Sequence, residues 1–189
     1  MKKVLIRSLT VLLIIAAALA SAVIYDRVWD KIDRAANPRD YSEYVQKYAL
    51  IYGVPENIVY SVIKVESNFV SSAVSRAGAV GLMQITPDTF DWISFLLGEN
   101  YEEGMLYDPE TNIKYGTYLF SYLHGQFGTW ETVYAAYNAG MTRVKTWQTN
   151  PEYADENGNL VNIPFKETRD YVKKVAKARE TYIRLYYSE

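Results

Sequence analysis

A stretch of apolar residues with helical spacing, carrying one carboxylate on its apolar side, constrains this chain more than any other feature. In Ile58-Val59-Tyr60-Ser61-Val62-Ile63-Lys64-Val65-Glu66-Ser67-Asn68-Phe69, Glu66 falls three residues after Ile63 and four after Val62. A helix over these residues therefore points Glu66 inward. A carboxyl group pressed against apolar neighbours resists ionisation, so its pKa rises and it can hold its proton near neutral pH, as a general acid must. A glutamate at a helix end can also bend out to water or pair with Lys or Arg. The residues that follow decide between the two.

The pattern stays helical from Tyr41 onward. Tyr44, Val45, Tyr48 and Ala49 form one stripe ended by Gly53, and Pro55 opens the Glu66 helix. Thr86-Pro87 and Asp108-Pro109 each read as an N-cap followed by proline in the first turn. Thr129 predicts a cap for a helix from Trp130 to Ala139, stopped by Gly140. Residues 150–162 contain Asn157-Gly158 and read as a loop or small hairpin. A last helix runs from about Glu167 to Tyr186 with Tyr171, Val172, Val175 and Tyr182 facing the core. Seven or so helices with almost no strand signal predict an all-α domain.

The N-terminus is of another kind. Lys2, Lys3 and Arg7 precede the uncharged stretch Ser8 to Ile24, which is at the lower limit for crossing a bilayer. Ala20-Ser21-Ala22 fits the small-x-small rule for signal cleavage, yet the apolar residues continue through Tyr25. The expectation is an uncleaved anchor in residues 1–25, a tether in 26–40 and a domain in 41–189, with the domain outside the cytoplasm. Secretion after cleavage is the alternative.

Composition excludes several chemistries. With no cysteine and one histidine, His124, the chain can build neither a thiol nucleophile nor a multi-histidine zinc site, and no metal is expected. The formal charge is −2, and the domain without the N-terminal cations is more acidic still, so nucleic acid is not an expected partner.

Four motifs beyond this pattern occur in order. The Glu66-Ser67 pair is followed by Ser75-Arg76-Ala77-Gly78-Ala79-Val80-Gly81-Leu82-Met83-Gln84, by Ala136-Tyr137-Asn138-Ala139-Gly140, and by Phe165-Lys166-Glu167-Thr168-Arg169-Asp170-Tyr171. Together, over roughly Tyr41 to Tyr186, they resemble the soluble lytic transglycosylases, peptidoglycan-cleaving enzymes with a fold similar to goose-type lysozyme. The resemblance implies a lysozyme-like helical domain with a saccharide cleft, peptidoglycan glycan strands as partner and no cofactor. It names no protein partner.

The resemblance also implies roles. Glu66 would protonate the oxygen between N-acetylmuramic acid and N-acetylglucosamine. It would then take the proton of the muramyl 6-hydroxyl, which closes a 1,6-anhydro end. Ser75, Gln84, Tyr137, Asn138 and Glu167 would bind substrate, with the Tyr137 hydroxyl reaching the catalytic carboxylate. Gly78 and Gly81 would let the loop backbone approach the sugar or take positive φ. From Ser67 to Pro87 there is no Asp or Glu, which suits a reaction run on one carboxylate; Asp88, Asp91 or Glu167 could still approach in space. A hydrolytic muramidase on the same fold and a non-catalytic glycan-binding scaffold are the alternatives.

Overall fold

A computed structural model describes residues 2–100 and 102–188. Among them the elements are helical, with three isolated β-bridges and no strand. The chain divides into two compact units after Pro38.

The first unit is one helix, α1 (Lys2–Ala36), which ends where Pro38 forbids its continuation. Residues 12–36 are long and apolar enough to cross a membrane. Leu12, Leu13, Leu19 and Ile24 are all exposed, an arrangement that an apolar environment would have to cover. The helix continues without a break over residues 26–36 of the stretch expected as a tether, and residues 37–40 lie outside it.

The second unit contains α2 (Ser42–Tyr52), α3 (Glu56–Glu66), α4 (Pro87–Leu97), α5 (Pro109–Phe127), α6 (Trp130–Ala139), α7 (Met141–Gln148) and α8 (Lys166–Tyr182), with a 3₁₀ turn at Glu103–Tyr107 and a π turn at Ile183–Tyr187. Helix α3 is its axis. Ile58, Val59, Tyr60, Ser61, Val62 and Ile63 are buried on consecutive positions, so α3 is enclosed on all sides. It packs against α2 and α8, while α5 and α6 complete the core. The unit starts at Arg39, which pairs with Glu56 at 3.1 Å and lies over the rings of Tyr60, Tyr186 and Tyr187.

The helix boundaries follow local chemistry. The Thr86 hydroxyl accepts from the amide of Thr89 at 3.3 Å, and the Asp108 carboxylate accepts from the amide of Thr111 at 2.8 Å. Thr129 is the N-cap of α6, but its hydroxyl pairs with that of Thr132 at 2.9 Å and caps no amide. Helix α7 was not anticipated: residues 141–148 hold only two buried side chains, Val144 and Trp147, too few for a visible stripe. In residues 150–162, Asp155 accepts from the amides of Asn157 and Asn159, closing a tight turn beside an Ala154–Leu160 bridge.

Candidate active site

Glu66 is the last residue of α3, half-buried, and its Oε1 accepts a 2.7 Å hydrogen bond from the hydroxyl of Tyr171 on α8. Burial pushes its pKa up to about 7, against the opposing pull of the Tyr171 hydrogen bond, which favours the ionised form. Among the described residues no carboxylate contributes to that shift. Asp88, Asp91 and Glu167 are all exposed.

Residues 67–86 form a loop folded back on the end of α3. The Ser67 hydroxyl donates to the carbonyl of Leu82 at 2.8 Å, and Val80 and Ile85 exchange backbone hydrogen bonds. Helix α5 holds the loop through Asn112, which is fully buried. Its Oδ1 accepts from the amide of Met83 at 2.8 Å, and its Nδ2 donates to the carbonyls of Val80 and Leu106 at 3.0 and 2.9 Å. Two of these bonds go to the loop and one to the 3₁₀ turn at Glu103–Tyr107, so neither the amide oxygen nor the amide nitrogen is left unmatched in the core.

Gly81 is required here. Its φ is +80°, and a Cβ would lie 2.2 Å from Nδ2 of Asn112 and 2.9 Å from the carbonyl oxygen of Leu106. Gly116 on α5 lets Met83 pack closely, because a Cβ there would lie 2.3 Å from the Met83 sulfur and the methionine would have to shift. Met83 is thus held by α5 on its amide and side chain and by Tyr137 on its carbonyl. Gln84 follows in the left-handed region with φ 51°, a conformation costly for a residue with a side chain.

The expected site residues differ in what they contact. Glu66, expected to point inward against apolar neighbours, is half-buried with its carboxylate hydrogen-bonded to Tyr171. Tyr137 departs from its expectation: its hydroxyl donates to the carbonyl of Met83, and the hydroxyl that reaches Glu66 belongs to Tyr171. Tyr137 remains near enough to feel the Glu66 charge, and burial and that charge hold its own pKa well above the usual phenol value. Gln84 braces the loop, its Nε2 donating to the carbonyls of Ala73 and Gly81 at 3.0 Å each, while Oε1 accepts no hydrogen bond from the described residues. Ser75 closes a turn with Gly78, its hydroxyl accepting from the amide of Ala79 at 3.0 Å. Asn138 and Glu167 are exposed. Glu167 lies one turn before Tyr171 on the same face of α8.

Two residues that build the site were not singled out from sequence. Tyr171 was read only as a core residue. Asn112 carried a usable signal, since it stands four residues before Gly116 and eight before Phe120 on the apolar stripe of α5, the kind of misplaced polar group that singled out Glu66.

Residues 43–159 match the transglycosylase SLT domain family. The chain is 35% identical over 170 residues to the soluble lytic murein transglycosylase of Escherichia coli strain K12, covering 87% of this chain and 26% of that protein. It is 32% identical over 170 residues to the membrane-bound lytic murein transglycosylase C of Actinobacillus pleuropneumoniae serotype 5b, covering 78% of this chain and 47% of that one. The X-ray structure of an inactive glutamate-to-glutamine variant of the lytic transglycosylase Slt of Pseudomonas aeruginosa matches with a TM-score of 0.70 and 31% identity, over 78% of this chain and 24% of that one. This chain spans between about a quarter and a half of the length of these relatives. The shared helical fold is the lysozyme-like one that the motifs implied. The chain belongs to the transglycosylase SLT domain family.

Proposed function

We propose that this protein is a membrane-anchored lytic transglycosylase. It cleaves the β-1,4 bond between N-acetylmuramic acid and N-acetylglucosamine in peptidoglycan without water and leaves a 1,6-anhydro end. The observation that carries this reading is the environment of Glu66: a pKa of about 7, one hydroxyl partner in Tyr171, and no carboxylate acting on it among the described residues. A hydrolase of the usual kind needs a second carboxylate to activate water or attack the sugar.

One carboxyl group suffices for the non-hydrolytic route. Protonated Glu66 gives its proton to the glycosidic oxygen as the bond from that oxygen to the muramyl anomeric carbon breaks. The carboxylate left behind is stabilised by the Tyr171 hydroxyl. The muramyl 6-oxygen then bonds to the anomeric carbon while its proton passes to Glu66, which ends as it began. A pKa near operating pH serves both halves of the reaction. The relatives' names support the transglycosylase reading, and in the Pseudomonas aeruginosa relative a glutamate-to-glutamine variant is inactive.

Substrate contacts are assigned to Gln84, whose Oε1 can accept from a sugar hydroxyl or acetamido N–H, to Ser75, which has a hydroxyl proton to donate, and to Tyr137, Asn138 and Glu167. Helix α1 remains uncleaved and holds the domain outside the cytoplasmic membrane, with Lys2, Lys3 and Arg7 on the cytoplasmic side. A membrane-bound relative supports that placement.

The test is digestion of purified peptidoglycan by the full chain in detergent, with products identified by mass spectrometry. Anhydro ends are expected, and Glu66→Gln should abolish their release. Reducing ends would make the protein a muramidase, and no release would leave a glycan-binding scaffold.

A further inference from the structure

We propose that the outward face of α8 docks on an anionic phospholipid surface, with Lys173, Lys174 and Lys177 against the headgroups. This inference rests on the membrane anchor in the reading above and does not depend on the chemistry at Glu66.

Charge in the second unit is segregated. Residues 39–165 carry 7 Lys and Arg against 15 Asp and Glu, whereas residues 166–184 carry 7 against 3. Most of the cations of this last segment collect on one side. Lys166, Lys173 and Lys177 stand at positions i, i+7 and i+11 of α8, on one stripe. Lys174 flanks that stripe and Arg184 follows on the π turn, and all five side chains are exposed. Tyr171, Val175 and Tyr182 occupy the opposite, buried face. Arg169 and Arg179 are engaged elsewhere, donating to the carbonyl of Ile163 and to Oδ1 of Asn57.

Two acids share the outer face. Asp170 pairs with Lys166 at 2.6 Å, and Glu180 is exposed. Lys173, Lys174 and Lys177 make no ion pair among the described residues. Three ammonium groups thus point into solvent from a unit that is acidic everywhere else. An anionic surface attracts this face and repels the remainder, so charge selects the orientation as well as the contact.

Two observations favour lipid over the glycan substrate as the occupant. Tyr171, which hydrogen-bonds to Glu66, belongs to the buried side of α8, so a strand held at Glu66 lies across the helix from the lysines. The second is where the chain enters the unit. The Arg39 guanidinium lies 5.4 and 5.5 Å from the ring centres of Tyr186 and Tyr187, which end the basic segment, and only residues 37 and 38 separate Arg39 from α1. At about 1.5 Å per helical residue, residues 25–36 and this short link keep the entry point within about 25 Å of the bilayer. Tethering at that range raises the local concentration of headgroups, so a face too weak to bind from solution becomes occupied. Ile183 and Tyr187, partly exposed on either side of Arg184, add side chains that suit the headgroup region.

The test uses the full chain reconstituted in vesicles. It has no cysteine, so Thr181→Cys, seven residues after Lys174, can carry a single polarity-sensitive dye, and Glu131→Cys on α6 serves as control. A membrane-impermeant dye added after reconstitution labels only outward-facing domains. Dye emission at Thr181→Cys should rise about twofold or more when neutral phosphatidylcholine vesicles are given about 30% phosphatidylglycerol, and the control should not change. The rise should vanish in about 0.5 M salt, where the Debye length is about 4 Å. Replacing Lys173, Lys174 and Lys177 together by Gln should weaken docking about a hundredfold and abolish the rise, with the melting temperature and product release from soluble strands in detergent unchanged. No rise with phosphatidylglycerol, an equal signal on neutral vesicles, or a rise that survives in the triple variant overturns the proposal. So does a signal that appears only on adding soluble peptidoglycan strands, which would give the face to the wall polymer. Failure of the protein to float with either kind of vesicle would instead bring down the membrane-anchored reading, and this proposal with it.

Discussion

The hydroxyl of Tyr171 donates a 2.7 Å hydrogen bond to Oε1 of Glu66 across 105 positions of chain. It opposes the effect of burial. Enclosure raises the carboxyl pKa to about 7, and the hydroxyl stabilises the carboxylate that forms when the proton leaves. Burial and the Glu66 charge keep the Tyr171 pKa well above the usual phenol value, so it stays a donor throughout.

Tyr171→Phe should raise the Glu66 pKa further, because the lost hydrogen bond favours the ionised form. Product release that requires protonated Glu66 falls as pH rises through its pKa, so the alkaline limb of the rate profile should move to higher pH in this variant. The maximal rate should drop as well, since the carboxylate intermediate loses its donor. Release rates between about pH 5 and 9 check this. An unmoved limb would remove Tyr171 from the titration of Glu66.

Glu66→Gln should stabilise the fold at alkaline pH. The folded pKa of about 7 lies above the ordinary glutamate value, so the native state binds the extra proton between the two. That contribution is fully present below about pH 4.3 and is lost as pH rises through 7, by up to about 3 kcal/mol. Glutamine has nothing to lose over that window. Denaturant midpoints at pH 4.5 and 8 should show the variant gaining on wild type as pH increases, and parallel behaviour of the two proteins would contradict the buried titration.

Gly81→Ala should cost about 2–4 kcal/mol and most of the activity, because the new Cβ meets both an unfavourable φ and the Asn112 amide. Gly78, also at positive φ, has nothing within 4 Å of the place its Cβ would take, so alanine there should cost only the backbone strain of about 1–2 kcal/mol. Thermal melts of the two variants side by side separate steric closeness from backbone conformation.

Asn112→Ala should destabilise by about 3 kcal/mol, since it strands the amide of Met83, takes its side-chain donor from the carbonyl of Leu106, and leaves the carbonyl of Val80 with only the amide of Ile85. Hydrogen exchange should then quicken at Met83 and its neighbours before it does in α3. Unchanged protection there would mean that α5 does not hold the loop.

Much of the architecture was legible because helix ends are written locally. Thr86-Pro87 and Asp108-Pro109 supplied caps and a proline where no amide is needed, and each starts a helix in the structure. Helix α7 was not legible, because an eight-residue helix with two buried side chains leaves no periodic trace. The all-round burial of α3 was hidden as well. Its spacing looked one-sided, yet α2 and α8 cover the positions that a lone helix would expose.

The sequence by itself determined that a carboxylate sits on an apolar helix face at Glu66 and that helices follow in a set order, because periodicity and capping act over a few residues. Only the tertiary structure decided which tyrosine meets that carboxylate and that Asn112 clamps the loop beside it. A hydrogen bond is lost with a displacement of about an ångström. The separation of Tyr171 from Glu66 is fixed by how α8 packs on α3, and spacing along either helix alone does not encode it.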